Sequence, residues 1–136
     1  MSLAECYESL ARMLDYPGGK EGILEECAKA GRILKSRNIE SPLEPFARFV
    51  EERTLATLQE DYVATFDFNP AAALYLGHHL FGDNRKKGAY MVRLKQEFRR
   101  HGFIPSGNDL PDHLPQVLGF LAYLARNAEG GARRSF

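Results

Sequence analysis

Several things are scarce in this 136-residue chain, and each scarcity excludes a class of function. No stretch approaches the roughly 20 consecutive apolar residues of a membrane span. Leu3 to Leu14 is broken by Glu5, Glu8 and Arg12, so the chain does not open on a basic leader with an unbroken apolar run. No direct membrane insertion is expected, and the cytoplasm is the expected compartment. Charge of one sign is also missing: 18 Lys and Arg balance 18 Asp and Glu. No basic excess argues for a nucleic-acid partner. Zero net charge equally removes one protection against self-association. Cysteine is limited to Cys6 and Cys27, at no metal-site spacing and each among apolar residues. Buried free thiols in a reducing compartment are expected rather than a disulfide. Gly18-Gly19-Lys20 lacks the spacing of a phosphate-binding loop and follows no strand. No segment alternates with period two, and no internal repeat or low-complexity tract is present.

What the chain does have is helical periodicity. Apolar content is 44% and charged content 26%, ordinary values for one folded domain. Leu3, Tyr7, Leu10 and Leu14 recur at helical spacing, with Cys6 and Met13 widening the stripe, until Tyr16-Pro17-Gly18-Gly19 stops it. A second helix puts Leu24, Cys27, Gly31 and Leu34 on one face. Pro45 suits a first helical turn, followed by inward-facing Phe46, Phe49 and Val50. Leu55, Leu58, Tyr62 and Phe66 form a long stripe ending near Asn69-Pro70. Ala71 to Leu80 reads as one buried helix broken by Gly82. Asp83 is placed to cap the next, whose stripe runs Lys87, Met91, Leu94, Phe98, His101 before Gly102. Asp109 is placed to cap the last helix, with Pro111 and Asp112 in its first turn and Leu114, Val117, Leu118, Leu121 and Leu124 as its core face. Residues 128–136, with Gly130-Gly131 and Arg133-Arg134, read as a frayed tail. The expected architecture is all-α: a single domain, 1–136, of about six or seven helices in a layered bundle.

The polar constellations are weak as chemistry. His78 and His79 are neighbours on a helix and diverge by about 100 degrees, which does not suit one metal ion. No Glu-x-x-His is present, so no metal site and no cofactor are expected. Asp112-His113 pairs an acid with an imidazole, but no nucleophile is tied to it by a motif, and capping or contact with a bound peptide is the better use. Arg85, Lys86, Lys87, Arg93, Lys95, Arg99 and Arg100 form a basic run that reads as a solvated helix face, because Tyr90 and Phe98 sit on or beside its apolar stripe. The acids Glu51, Glu52, Glu60, Asp61, Asp67, Asp83, Asp109 and Asp112 would fence an apolar groove if the fold gathered them, and such a surface suits a peptide with arginines beside an apolar stretch.

A longer ordered pattern is more specific than any of these. It runs Tyr62-x-x-x-Phe66-Asp67, Leu74-Tyr75-Leu76, His79, Gly82-Asp83-x-Arg85, Gly88, Met91, Leu94, Phe98 and Gly102. It closes with Leu110-Pro111-Asp112-His113-Leu114-Pro115, Leu118, Phe120 and Leu121. In that order and spacing the chain resembles the nitrate reductase delta-subunit (NarJ) branch of the TorD/DmsD-like chaperones that mature molybdenum-containing reductases. The resemblance is firm over 62–124 and looser over 21–55. It implies a non-enzymatic, all-helical chaperone in the cytoplasm. Its partner would be the N-terminal segment of a molybdoenzyme catalytic subunit, a twin-arginine leader or its remnant, held until molybdenum cofactor insertion. The implied peptide-binding residues are Asp112 and His113, with Tyr62, Phe66, Asp67, Tyr75, His79, Asp83 and Asp109 around them. The chain is shorter than most relatives, and a homodimer is compatible with the resemblance. Two other readings stay open on the residues alone: a generic adaptor for an amphipathic helix, and a small metal-dependent hydrolase using His78, His79, Asp112 and His113.

Overall fold

Ser2 opens the first helix: its hydroxyl accepts a hydrogen bond from the Glu5 amide at 3.2 Å, the ordinary N-cap arrangement. In the computed structural model, which describes residues 2–107 and 109–134, that helix is α1, Leu3–Met13. The others are α2 (Lys20–Ser36), α3 (Leu43–Glu51), α4 (Leu55–Tyr62), α5 (Leu76–Phe81), α6 (Lys86–Arg100) and α7 (Leu114–Arg134). The described residues hold seven α-helices and no strand, the all-α bundle expected. Thr54 caps α4 by accepting from the Thr57 amide at 3.2 Å. At its far end α4 widens into a π-helical turn, Val63–Asp67, where the Phe68 amide reaches back to the Val63 carbonyl at 3.1 Å. Such a turn rotates the next segment relative to a continuing α-helix and recurs at functional sites.

α1 packs most heavily on α7 and next on α2, and α2 packs on α3. The residues that α1 buries are Ala4, Cys6 and Ser9; of the expected stripe only Cys6 is among them, Leu3 being exposed and Tyr7, Leu10, Met13 and Leu14 half-buried. Small side chains let α1 and its neighbours approach closely, which leaves the larger Leu10, Met13 and Leu14 for another surface. The interior of α2 is likewise Cys27, Ala30 and Ile33. Both cysteines are free and buried, and burial pushes both thiols up. A second cluster stacks Phe98 on Phe120 and Phe103, with ring centroids 4.8 and 5.2 Å apart. Pairs in this geometry add about 0.5–1.5 kcal/mol beyond their buried area.

Several local expectations are corrected, the first two because long-range backbone pairing outcompetes helix propensity and capping. Ala71 to Leu80 is not one buried helix. Pro70–Ala72 is a short 3-10 turn, the chain then extends, and only Leu76–Phe81 is helical, with Leu80 62% exposed. The extended part exchanges backbone hydrogen bonds with the segment before α7 instead: Leu114 N–H to Leu74 C=O at 2.7 Å, and Leu76 N–H to Asp112 C=O at 3.1 Å. The same pairing delays α7, which starts at Leu114, so Asp109 does not cap it and Pro111-Asp112 lie in a turn. Its buried residues include Gln116, Phe120 and Ala122, whereas Leu121 is exposed. Asp83 does not cap α6; the Asn84 side chain accepts from the Lys86 amide at 3.0 Å. The backbone of the expected tail continues α7 through Arg134, and Ser135 and Phe136 lie outside the described residues.

Candidate functional site

The backbone pairing between residues 74–76 and 112–114 builds a polar corner. Tyr75 and His113 face each other across an isolated antiparallel bridge, with ring centroids 5.0 Å apart. The Tyr75 hydroxyl donates to Asp109 Oδ1 at 3.2 Å, and Asp109 Oδ2 lies 3.5 Å from His113 Nδ1. Burial and then the Asp109 carboxylate push the Tyr75 phenol above its usual range. Tyr75, Asp109 and His113 thus converge at one place in the fold.

Asp112 takes a different place. It is 0% exposed, and its Oδ2 accepts from the Gly77 amide at 2.8 Å. It therefore satisfies one of the open donors at the start of α5, a cap supplied from outside the helix. The fit requires glycine: a Cβ at Gly77 would stand 2.9 Å from Asp112 Oδ2. Asp112 Oδ1 is buried without a hydrogen-bond partner among the described residues. Both members of the Asp-His pair are buried, but the acid is sealed inside the fold while the imidazole keeps an edge, 8% exposed, on the Asp109 side.

Two expected site residues fall outside this corner. His79 Nε2 lies 2.6 Å from the Ala73 carbonyl and His78 Nε2 lies 3.1 Å from the Pro70 carbonyl. Facing an acceptor, each Nε2 carries the proton and donates. Both rings therefore pin the turn at residues 70–73. Among the described residues no group of three or more potential ligands could hold a metal ion. Asp83 is exposed in the turn before α6.

Asp15 joins the corner from the end of α1. It is exposed as a residue, yet its carboxyl is partly desolvated; burial pushes it up, His113 pulls it down, Asp109 pushes it up, and it ends raised. Tyr62 stands next to it. Its hydroxyl donates to the Leu14 carbonyl at 2.9 Å. Burial, then Asp15, Asp67, Tyr75 and Asp109, push its phenol up to about 12. The anionic groups at Asp15, Asp67 and Asp109 thus share one locality.

On the other side of Tyr62 an apolar groove of about 650 Å³ opens between α1, α3 and α4. Leu10, Met13, Leu14, Phe46, Phe49 and Phe66 line it. These are the large side chains that the close helix contacts left over. The Tyr62 and Phe66 rings meet edge to face at 4.9 Å, and Tyr16 abuts Tyr62 at 5.6 Å. Tyr62 and Phe66 therefore belong to the groove, and Asp67 to its acidic end. On the far side of Asp15 a second pocket, about 440 Å³, lies between α1 and the segment leading into α7, lined by Glu8, Asp15, Asp109, His113 and Gln116 among others. Sequence reasoning missed Asp15, Gln116 and the groove role of Phe46 and Phe49. Asp15 comes directly after Leu14 at the end of the first apolar stripe, the one signal that could have found it.

The chain matches the family model described as nitrate reductase delta subunit over residues 35–134. It is 29% identical over 117 residues to a protein of Bacillus subtilis named probable nitrate reductase molybdenum cofactor assembly chaperone NarJ, covering 85% of this chain and 64% of that one. It is 30% identical over 122 residues to the nitrate reductase molybdenum cofactor assembly chaperone NarJ of Escherichia coli, covering 87% of this chain and 51% of that one. The chain thus spans about half to somewhat under two thirds of these relatives' lengths. Its fold is similar to the crystal structure of a putative redox enzyme maturation protein from Archaeoglobus fulgidus, with a TM-score of 0.61 at 18% identity, covering 95% of this chain and 74% of that one. The pattern from Tyr62 to Leu121 and the match over 35–134 lead to one placement: the chain belongs to the nitrate reductase delta subunit family.

Proposed function

We propose that this chain acts, as one all-helical domain, as an assembly chaperone for a molybdenum-containing reductase of the nitrate reductase type. It binds the N-terminal segment of the catalytic subunit and holds it until the molybdenum cofactor is inserted. One observation carries this reading: an open apolar groove runs into a corner of acids around His113, with Tyr62 at the junction. The names of the relatives support the chaperone part. A leader segment with an apolar face and positive charges matches both halves. Each leucine-sized side chain it buries contributes about 1.5–3 kcal/mol, offset in part by ordering the peptide. The acids fix register and favour cations.

In this reading Asp109, His113, Tyr75 and Asp67 contact the peptide's polar end, and Tyr62 and Phe66 its apolar side. Asp112 acts from beneath, by holding α5 against the segment that carries His113. Among the described residues no helix is long and apolar enough to cross a membrane. Two buried free thiols suit a reducing compartment, and the proposed setting is the cytoplasm. The test is titration of the protein with the N-terminal peptide of the nitrate reductase catalytic subunit from the same organism. Saturable binding that weakens on Phe49→Ala and on Asp109→Asn is expected. Absence of binding to a protein with an intact helical spectrum would end the proposal.

A further inference from the structure

The pocket beside His113 has features that the apolar groove does not share. Its acids differ in what they already hold. Glu8 takes the Arg126 guanidinium through two bonds, at 2.6 and 2.9 Å, and Arg12 is turned to Glu26 at 3.1 Å. Asp15 makes no ion pair among the described residues, and Asp109 meets Tyr75 and His113 without a Lys or Arg partner among them. Gln116 is 8% exposed and lines the same pocket. Its Nε2 donates to the Ser106 carbonyl at 3.1 Å, while its Oε1 is buried with no partner among the described residues. A buried amide oxygen left unpaired carries a cost that a donor arriving in the pocket removes. Ala11, Phe103 and Pro115 supply apolar wall.

We infer that this pocket is a guanidinium subsite, in which Asp15, Asp109 and the amide oxygen of Gln116 take one arginine side chain of the bound leader. The inference rests on the proposed leader binding and adds residues from α1 and α7 to it. Two carboxylates near one another call for a cation. Three acceptors on three separate segments call for a planar group with several donors, and guanidinium has five where ammonium has three. The apolar wall accommodates the methylene stem while the head meets the acids. Glu8 and Arg126 show the neighbouring wall already holding a guanidinium by its fork.

The experiment compares two leader peptides, the native one and one with its arginines replaced by lysine, on the full chain and on three variants. The unaltered protein should prefer arginine by about tenfold, the worth of one good charge-assisted bond. Asp15→Asn and Gln116→Leu should reduce that preference to about twofold or less. Asp15 is at the surface, so its variant keeps the fold. Gln116→Glu keeps an acceptor for the guanidinium but gives up the donor to the Ser106 carbonyl, so it should weaken binding of both peptides and still keep the arginine preference. A purely structural Gln116 would lower binding of both peptides equally in Gln116→Glu and Gln116→Leu. Tight leader binding with an arginine preference untouched in Asp15→Asn and Gln116→Leu would overturn the subsite and leave the proposed leader binding standing. If no leader binds, N-acetylarginine amide serves as probe. A shift of the Gln116 side-chain amide resonance with arginine and none with N-acetyllysine amide would sustain the subsite, and no shift with either would overturn it.

Discussion

The corner around His113 and the groove beyond Tyr62 are adjacent, but they are built on different principles. The corner is assembled from directional bonds. Backbone pairs join 74–76 to 112–114, a carboxylate caps a helix from outside, and a tyrosine hydroxyl holds Asp109. Such a network has one low-energy arrangement and loses much when a member is removed. The groove is assembled from leftovers: side chains too large for the close α1–α7 and α1–α2 contacts gather where α3 and α4 do not fully cover them. Apolar surface of this kind is non-directional and tolerant of substitution. Under the proposed function the contrast gives the two regions different work, with register and charge selection at the corner and affinity in the groove.

The largest effect should come from breaking the corner from inside. Gly77→Ala drives a methyl group to 2.9 Å from Asp112 Oδ2, with Lys87 and Met91 of α6 closing the other sides, and should cost about 2–3 kcal/mol in urea unfolding. Asp112→Ala leaves the buried Gly77 amide unpaired and should cost about 1–3 kcal/mol. Asp112→Asn keeps an acceptor for that amide. It should restore most of the stability and most of the leader affinity, an outcome that direct pairing of Asp112 with the peptide does not allow.

Next come changes that separate the two regions by salt. Phe49→Ala should weaken leader binding by about 1–3 kcal/mol with little change in salt dependence. Asp109→Asn should weaken it less, by about 1 kcal/mol at low salt, and flatten the fall in affinity as salt rises. Equal salt profiles for the two variants would erase the division of labour.

A subtler effect concerns proton release. Tyr62 is raised to about 12. Ultraviolet titration should therefore show a late step, beyond the usual range near 10, that disappears in Tyr62→Phe. The unfolded chain gives up that proton near 10 and the folded chain near 12, so stability falls as pH rises through that interval. The smallest effect belongs to the rim. Arg126→Gln frees Glu8, whose carboxyl is held below its usual range chiefly by its bond to Arg126. The stabilisation is present above the usual carboxylate pKa and is lost as pH falls through the lowered one. The pair is half exposed, so the loss should be under about 1 kcal/mol at neutral pH.

Much of this was legible in residue order. Gly82 and Gly102 adopt positive φ where breaks were expected, and Phe98 is buried as its stripe predicts. Asp109, His113 and Tyr75 each stand out in the sequence, but their meeting is a product of the fold. The misses share a cause. Leu10, Met13, Phe46 and Phe49 have the periodicity of core, and periodicity reports which face of a helix is apolar, not whether another helix covers it. Ala71 to Leu80 is apolar enough for a helix, but long-range backbone pairing with residues 112–114 competes for the same donors and acceptors. Asp112 reads in sequence as capping its own helix or meeting a peptide, because its actual partner, the Gly77 amide, is 35 residues away in the chain.

By itself the order of residues determined the all-helical class, the family pattern and the identity of the acids, because spacing and capping are local matters. The tertiary structure decided which acid faces outward, where the large apolar side chains remain uncovered, and that Asp15 and Gln116 share a pocket with His113. Those are outcomes of how closely helices with small interior residues can pack, and close packing brings together segments that no local pattern connects.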